Sequence, residues 1–145
     1  MFIRQIRRFS TFKLGPIFAC SEILVNEPKK SLETNDPKVW NYGSNIKYDI
    51  ALEQHNNFVK MIEELGVAVR KFPSHLNPSN SDSMFVHDPV LTIPPDGEYI
   101  TLKMGKELRE GEEGVMEGVL NDFNLKKLGE ISGEGKVEGG DTLWV

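Results

Sequence analysis

The chain has 145 residues, 39% of them hydrophobic and 27% charged, with a formal net charge of −5. A one-domain length with ordinary apolar content excludes long disorder. The single cysteine, Cys20, excludes an internal disulfide framework and the multi-cysteine zinc folds. No run approaches ~18 uninterrupted apolar residues, so no membrane-spanning helix is expected, and the acid excess argues against broad binding to nucleic-acid phosphates.

The first thirteen residues stand apart. They hold Arg4, Arg7, Arg8 and Lys13 and no acid, and the first acid of the chain is Glu22. With Phe2, Ile3, Ile6 and Phe9 along one helical side, residues 1–13 read as a mitochondrial targeting segment, with Arg8-Phe9-Ser10 as a place for processing. The alternative is a frayed basic terminus on a cytoplasmic protein. Ile17 to Val25 is β-prone and predicts a first strand. Glu27 to Asn45, with Pro28, Pro37 and Gly43, reads as a long loop. Asp49 can cap a helix from Ile50, and Ala51, His55, Phe58, Ile62 and Leu65 recur at steps of four and three, the stripe of one helical face. Gly66 follows where a left-handed cap is expected.

Val67 to Phe72 predicts a strand and Pro73 to Ser81 a loop. Met84 to Val86 and Val90 to Ile93 are short strand candidates on either side of His87-Asp88-Pro89. Pro94-Pro95-Asp96-Gly97 signals a turn, with Glu98 to Lys103 as the return strand. A second amphipathic helix is expected at about 109 to 124, then strands at Lys126 to Ile131 and Thr142 to Val145. Helices alternating with strands make the class α/β. The apolar Leu143-Trp144-Val145 end suggests that further elements belong to the complete fold, although a short domain with an internally paired last strand fits equally.

Gly133-Glu134-Gly135 lacks the third glycine and the setting of a phosphate loop. His55, His75 and His87 have no metal-ligand spacing, so neither metal nor cofactor is expected. His55 reads as a core or half-buried group and His75 as solvated. Two acidic clusters carry more. In Ser81-Asp82-Ser83-Met84-Phe85-Val86-His87-Asp88-Pro89, an extended chain would turn Asp82 and Asp88 to the same side of a cleft; both could equally cap turns. In Glu138-Gly139-Gly140-Asp141, two glycines permit close backbone approach and positive φ between carboxylates, or simply form a solvated turn.

Taken in order, Gln54-His55 on a helix, Asp82-Ser-Met-Phe-Val-x-Asp-Pro, Lys103-Met-Gly with Leu108-Arg-x-Gly-Glu, and Glu138-Gly-Gly-Asp resemble the guanidine-modifying enzymes of the pentein superfamily. They look most like the dimethylarginine dimethylaminohydrolases. The resemblance covers residues 17–145 and corresponds to about the first half of a family member. It implies an α/β propeller of five blades, here incomplete, acting on a small guanidine such as methylated arginine, with no nucleic-acid or membrane partner. Half a propeller would leave open strand edges.

By the same resemblance, Asp82 would grip the guanidinium, a planar cation with forked donors, and Asp88 would stand in the same pocket wall. Glu138 would pair with the substrate and orient a catalytic histidine. Arg109 would clamp the substrate carboxylate and Phe85 would pack beside the guanidinium plane. His87 stands where dimethylarginine enzymes usually have glutamate, and Lys103-Met104 replaces the more common Arg-Pro; these departures leave substrate choice open, above all recognition of the substrate's α-amino group. The family's mechanism uses a cysteine thiolate and a histidine, both beyond the Glu-Gly-Gly-Asp motif. Cys20, His55 and His87 match neither, which implies a fragment that is inactive alone. An arginine deiminase or other amidino-group hydrolase shares both acidic motifs, and a non-catalytic pentein-like binding module fits the missing thiol.

Overall fold

The computed structural model describes residues 20–73, 75–76, 80–93 and 97–143. The expected targeting segment, the start of the expected first strand, Pro94 to Asp96 and the last two residues lie outside them. The elements in order are β1 (Glu22–Val25), α1 (Ser31–Thr34), α2 (Pro37–Trp40), α3 (Tyr48–Glu64), β2 (Ala68–Lys71), β3 (Val90–Ile93), β4 (Glu98–Thr101), α4 (Glu112–Asp122) and β5 (Lys126–Glu130). Single 3-10 turns stand at Ser81–Met84, Glu107–Arg109 and Gly139–Asp141. The α/β class follows directly from this order.

Two small sheets form. β1 and β2 pair in parallel from Glu22 opposite Ala68 to Val25 opposite Lys71. Parallel neighbours need a crossover, and α3 supplies it. The second sheet has the order β3-β4-β5. β3 and β4 pair antiparallel, from Val90 opposite Thr101 to Ile93 opposite Glu98, and β4 and β5 are parallel, joined through α4. The parallel register shifts between Tyr99 and Ile100, which face Lys127 and Gly129, so Leu128 is the extra residue of a bulge and is exposed.

The core lies where α4 covers this sheet. Met116, Val119 and Leu120 of α4 pack with Tyr99, Val90 and Phe72, and Leu24 of β1 joins from the first sheet. The helical spacing of Met116, Val119 and Leu120 places all three on one face. Tyr99 is fully buried and its hydroxyl donates to Asn121 Oδ1 at 3.2 Å, so the ring is buried without an orphaned donor.

Several sequence expectations are corrected. The 27–45 segment is not a plain loop: it folds into α1 and α2, with Asp36 accepting from the Lys38 amide at 2.9 Å and Pro37 in the first turn. Asp49 sits inside the first turn of α3, where its charge favours the helix dipole, rather than before it. The buried line of α3 runs through Val59, with Ala51, His55 and Ile62 half-buried, while Phe58 and Leu65 are exposed. Met84 to Val86 is not a strand: Ser81–Met84 is a 3-10 turn and residues 86–89 form another turn. Thr142 and Leu143 follow a 3-10 turn without strand pairing. Gly66 does take the left-handed conformation, at φ 81°.

His55, on α3, has its Nε2 buried and without a hydrogen-bond partner among the described residues. Burial pushes this imidazole below its ordinary value, opposed by Glu27 and aided by Lys71 and Lys29. A value lowered by folding means that the unfolded chain takes up more protons on acidification. Stability is therefore full above about pH 6.5 and is lost as pH falls through that value towards the lower, folded-state one. In urea unfolding, the wild-type chain should lose more stability between about pH 7.5 and pH 5.5 than His55→Gln; equal losses would show that His55 does not titrate on unfolding.

Candidate active site

The most buried charge near the acidic motifs is Arg109, at the end of the Glu107–Arg109 turn, with 4% of its side chain exposed. Its Nη1 donates to Asp88 Oδ2 at 2.6 Å, and its Nη2 donates to Glu112 Oε2 at 2.7 Å and to the Phe85 carbonyl at 3.4 Å. Its Nε adds contacts of 3.2 Å to both Glu112 oxygens. Burial alone would lower the guanidinium's affinity for its proton, but hydrogen bonds and charge from Glu112 and Asp88 outweigh it and hold the group above its usual value. All three guanidinium nitrogens are thus engaged within the chain. The resemblance implies a clamp on a ligand carboxylate for Arg109; in this structure its fork is closed on Asp88 and Glu112, away from solvent.

Asp82 is buried in the Ser81–Met84 turn and faces another set of partners. The Tyr42 hydroxyl donates to Oδ1, and Lys106 Nζ donates to Oδ2 at 2.6 Å. The same ammonium donates to the Trp40 carbonyl at 2.8 Å and lies 4.7 Å from the Trp40 ring centroid and 5.8 Å from that of Tyr42. Burial, and then the hydrogen bond to Asp82, push the Tyr42 phenol well above its usual value, so it stays a donor. Asn35 Nδ2 donates to Ser81 Oγ at 2.5 Å, which fastens the α1–α2 segment to this turn. That bond brings Trp40 and Tyr42 to Asp82.

The Glu138 segment closes from the other side. Gly105 N donates to Glu138 Oε1 at 2.8 Å, Gly139 N donates to the Asp88 carbonyl at 2.9 Å, and Lys103 and Val137 exchange both backbone bonds. A Cβ on Gly139 would stand 2.1 Å from the His87 carbonyl oxygen and 2.8 Å from its carbon, whereas one on Gly140 would meet nothing within 4 Å. The first glycine therefore serves close approach, and neither adopts positive φ, which corrects half of the sequence expectation.

Asp82, Asp88, Arg109 and Glu138 thus converge on one segment, residues 103–109. The means is a relay of turns rather than the extended strand expected between Asp82 and Asp88. Phe85 and His87 face elsewhere in part. Both line a hollow of about 340 Å³ with Ile23 and Leu24 of β1 and with His55 and Phe58 of α3. The guanidinium nearest the Phe85 ring is that of Arg109, 6.0 Å away, and His87 Nε2 lies 3.0 Å from Asp88 Oδ1. Sequence reasoning missed Trp40, Tyr42 and Lys106, because a lysine and two aromatics in unrelated segments give no spacing signal; Glu112 closes the Leu108-Arg-x-Gly-Glu motif without a role of its own there, although its i+3 spacing from Arg109 could have been read as a helix pair. Among the described residues no group of three His, Cys, Asp or Glu side chains is placed to hold a metal.

No family model matches the chain. It is 34% identical over 98 residues to the N(G),N(G)-dimethylarginine dimethylaminohydrolase of Pseudomonas aeruginosa, covering 68% of this chain and 37% of that protein. The chain belongs to the dimethylarginine dimethylaminohydrolase family over the stretch it spans. Crystal structures of a dimethylarginine dimethylaminohydrolase superpose on it with a TM-score of 0.66 at 28% identity. One is an adduct with 4-chloro-2-hydroxymethylpyridine, and the other is a variant carrying an adduct with S-methyl-L-thiocitrulline. They cover 86% of this chain and 46% and 47% of their own lengths, so the chain spans less than half of the relatives it matches.

Three substitutions test how this part of a dimethylarginine dimethylaminohydrolase fold is held. Arg109→Ala leaves two buried carboxylates without their cation and should cost about 3–5 kcal/mol in urea unfolding. Gly139→Ala should cost about 1–3 kcal/mol because backbone must move, while Gly140→Ala should change stability little. Comparable losses at both glycines would remove the close-approach argument.

Proposed function

We propose that this chain forms the guanidinium-holding part of a site that hydrolyses N-ω-methylated arginine to citrulline and a methylamine. Residues 17–145 would be the N-terminal part of a pentein-type propeller. The observation that carries this reading is the placing of Asp82 and Glu138 on adjacent residues: Asp82 accepts from the Lys106 ammonium and Glu138 from the Gly105 amide. The family's relatives carry the arginine-derived chemistry in their names. A permanent planar cation needs carboxylates that accept its N–H groups in pairs. Two acids anchored at neighbouring positions meet that need at low reorganisation, a positioning contribution to rate.

The roles divide differently from those the motifs alone suggest. Asp82 and Glu138 are the acids offered to a ligand. Asp88 and Arg109 form the internal strut that fixes the turn bearing Phe85 and His87. In this class of reaction a thiolate attacks the guanidinium carbon, and an imidazole protonates the departing amine and then activates water. Cys20 is exposed beside β1, and its Sγ contacts the Glu22 carbonyl rather than any member of the acid cluster. The reading therefore assigns binding to this chain and the nucleophile to residues outside it. A binding role without catalysis is the second reading, favoured by the same position of Cys20.

Both parts are open to measurement. Titrating asymmetric dimethylarginine into residues 1–145 at millimolar concentration should shift the amide resonances of Asp82, Gly105 and Glu138 in two-dimensional NMR, and Asp82→Asn should abolish the shifts. Citrulline should not accumulate. Absence of shifts would overturn the site, and clear citrulline release would overturn the division of roles.

A further inference from the structure

We propose that Lys106 is an internal cation that occupies the guanidinium position of Asp82 and competes with the ligand for it. This rests on the assignment of Asp82 as a ligand-holding acid. The grounds are the shape and chemistry of its surroundings. The ammonium is held by one carboxylate oxygen, one backbone carbonyl and two aromatic rings: Asp82 Oδ2 at 2.6 Å, the Trp40 carbonyl at 2.8 Å, and the rings of Trp40 and Tyr42 at 4.7 and 5.8 Å. Acceptors on one side and π faces on the other are the surroundings that recognise an organic cation, whichever molecule carries it.

The carboxylate is arranged to accept and not to donate. Its other oxygen is taken by the Tyr42 hydroxyl, whose raised proton affinity keeps it a donor. Asp82 therefore turns one oxygen to the cage, and the cage is filled by the chain itself.

Lys106 differs from Arg109 in a way that matters here. Arg109 is 4% exposed and is tied by all three nitrogens to two acids and a carbonyl. The Lys106 side chain retains 22% exposure and sits on a flexible stem. It can swing to solvent and leave the cage intact, because Asn35, Ser81 and Tyr42 hold the walls independently. A guanidinium entering in its place can present forked N–H groups to Asp82 Oδ2 and the Trp40 carbonyl together, where an ammonium presents a point charge. If the ammonium fills the cage nine-tenths of the time, the apparent affinity for an external cation falls about tenfold.

The experiment compares the full chain with Lys106→Ala and Lys106→Met, the latter keeping the apolar stem over Trp40. Methylguanidinium, propylammonium and asymmetric dimethylarginine are titrated separately, following the Trp40 indole and Asp82 amide resonances and the unfolding temperature. Both variants should bind methylguanidinium at least about tenfold more tightly than wild type. Each cation should raise the variants' unfolding temperature more than that of wild type. Asp82→Asn combined with Lys106→Met should lose the response.

Equal binding by wild type and both variants would overturn the competition, even if dimethylarginine still binds. No binding of methylguanidinium or propylammonium by a variant that unfolds cooperatively would overturn the cage. Methylguanidinium binding by the variants without any dimethylarginine binding would uphold the cage and overturn the methylarginine reading instead. Should Lys106→Ala lack cooperative unfolding, recovery of that unfolding by added propylammonium supports the cage, and failure to recover it in both variants counts against it.

Discussion

The closure of Arg109 between Asp88 and Glu112 is the constraint on which the arrangement around the acidic motifs depends. A buried guanidinium does not shed its proton, so it must be neutralised in place. Asp88 answers from the turn before β3 and Glu112 from the first turn of α4. The two elements are thereby fixed against each other at the same end of the β3-β4-β5 sheet. Asn80 extends the link, donating to Glu112 from the residue before the Asp82 turn. One cation thus joins the acidic turn, the 107–109 turn and the helix that covers the core.

This strut separates two kinds of acid that look alike in the sequence. Asp88 and Glu112 satisfy the interior and are unavailable to a ligand. Asp82, six residues before Asp88, turns the other way towards Trp40, Tyr42 and Lys106. Glu138 reaches the same loop through the Gly105 amide. Charge around the acidic motifs therefore divides by partner: Arg109 is neutralised in the interior, while Asp82 is answered by a partly exposed lysine.

The large elements were legible because their periodicities are strong. α3, α4, the β3-β4 hairpin and β5 stand close to their expected places, and Gly66 takes the cap that its position after Leu65 suggested. The misreadings have local causes. Pro37 and Asp36 signal a turn and a helix start with the same chemistry, so α2 read as loop. Met84-Phe85-Val86 is apolar enough for a strand, but Ser83 bonds back to the Asn80 carbonyl, and Ser81 and Asp82 are held by Asn35, Tyr42 and Lys106, so the turn won. In the site, the acids could be named from motif order, but which of them face inward could not. That depends on Lys106, whose partners Trp40 and Asp82 lie in segments that only the folded chain brings together, and on Glu112, whose local pair with Arg109 closes on the distant Asp88.

The contact at Gly139 limits how this chain can vary. Most crowded positions in a protein tolerate an enlarged residue if a neighbouring side chain shrinks to make room. At Gly139 the two nearest atoms, inside 3.0 Å, are the carbonyl oxygen and carbon of His87, which every residue type possesses, and the imidazole Cδ2 stands behind them at 3.1 Å. No replacement of the His87 side chain can therefore act as a second-site suppressor of a change at Gly139. Accommodation would require altering the backbone path itself, by insertion or deletion in the 85–89 turn, and that would in turn displace Asp88 from Arg109.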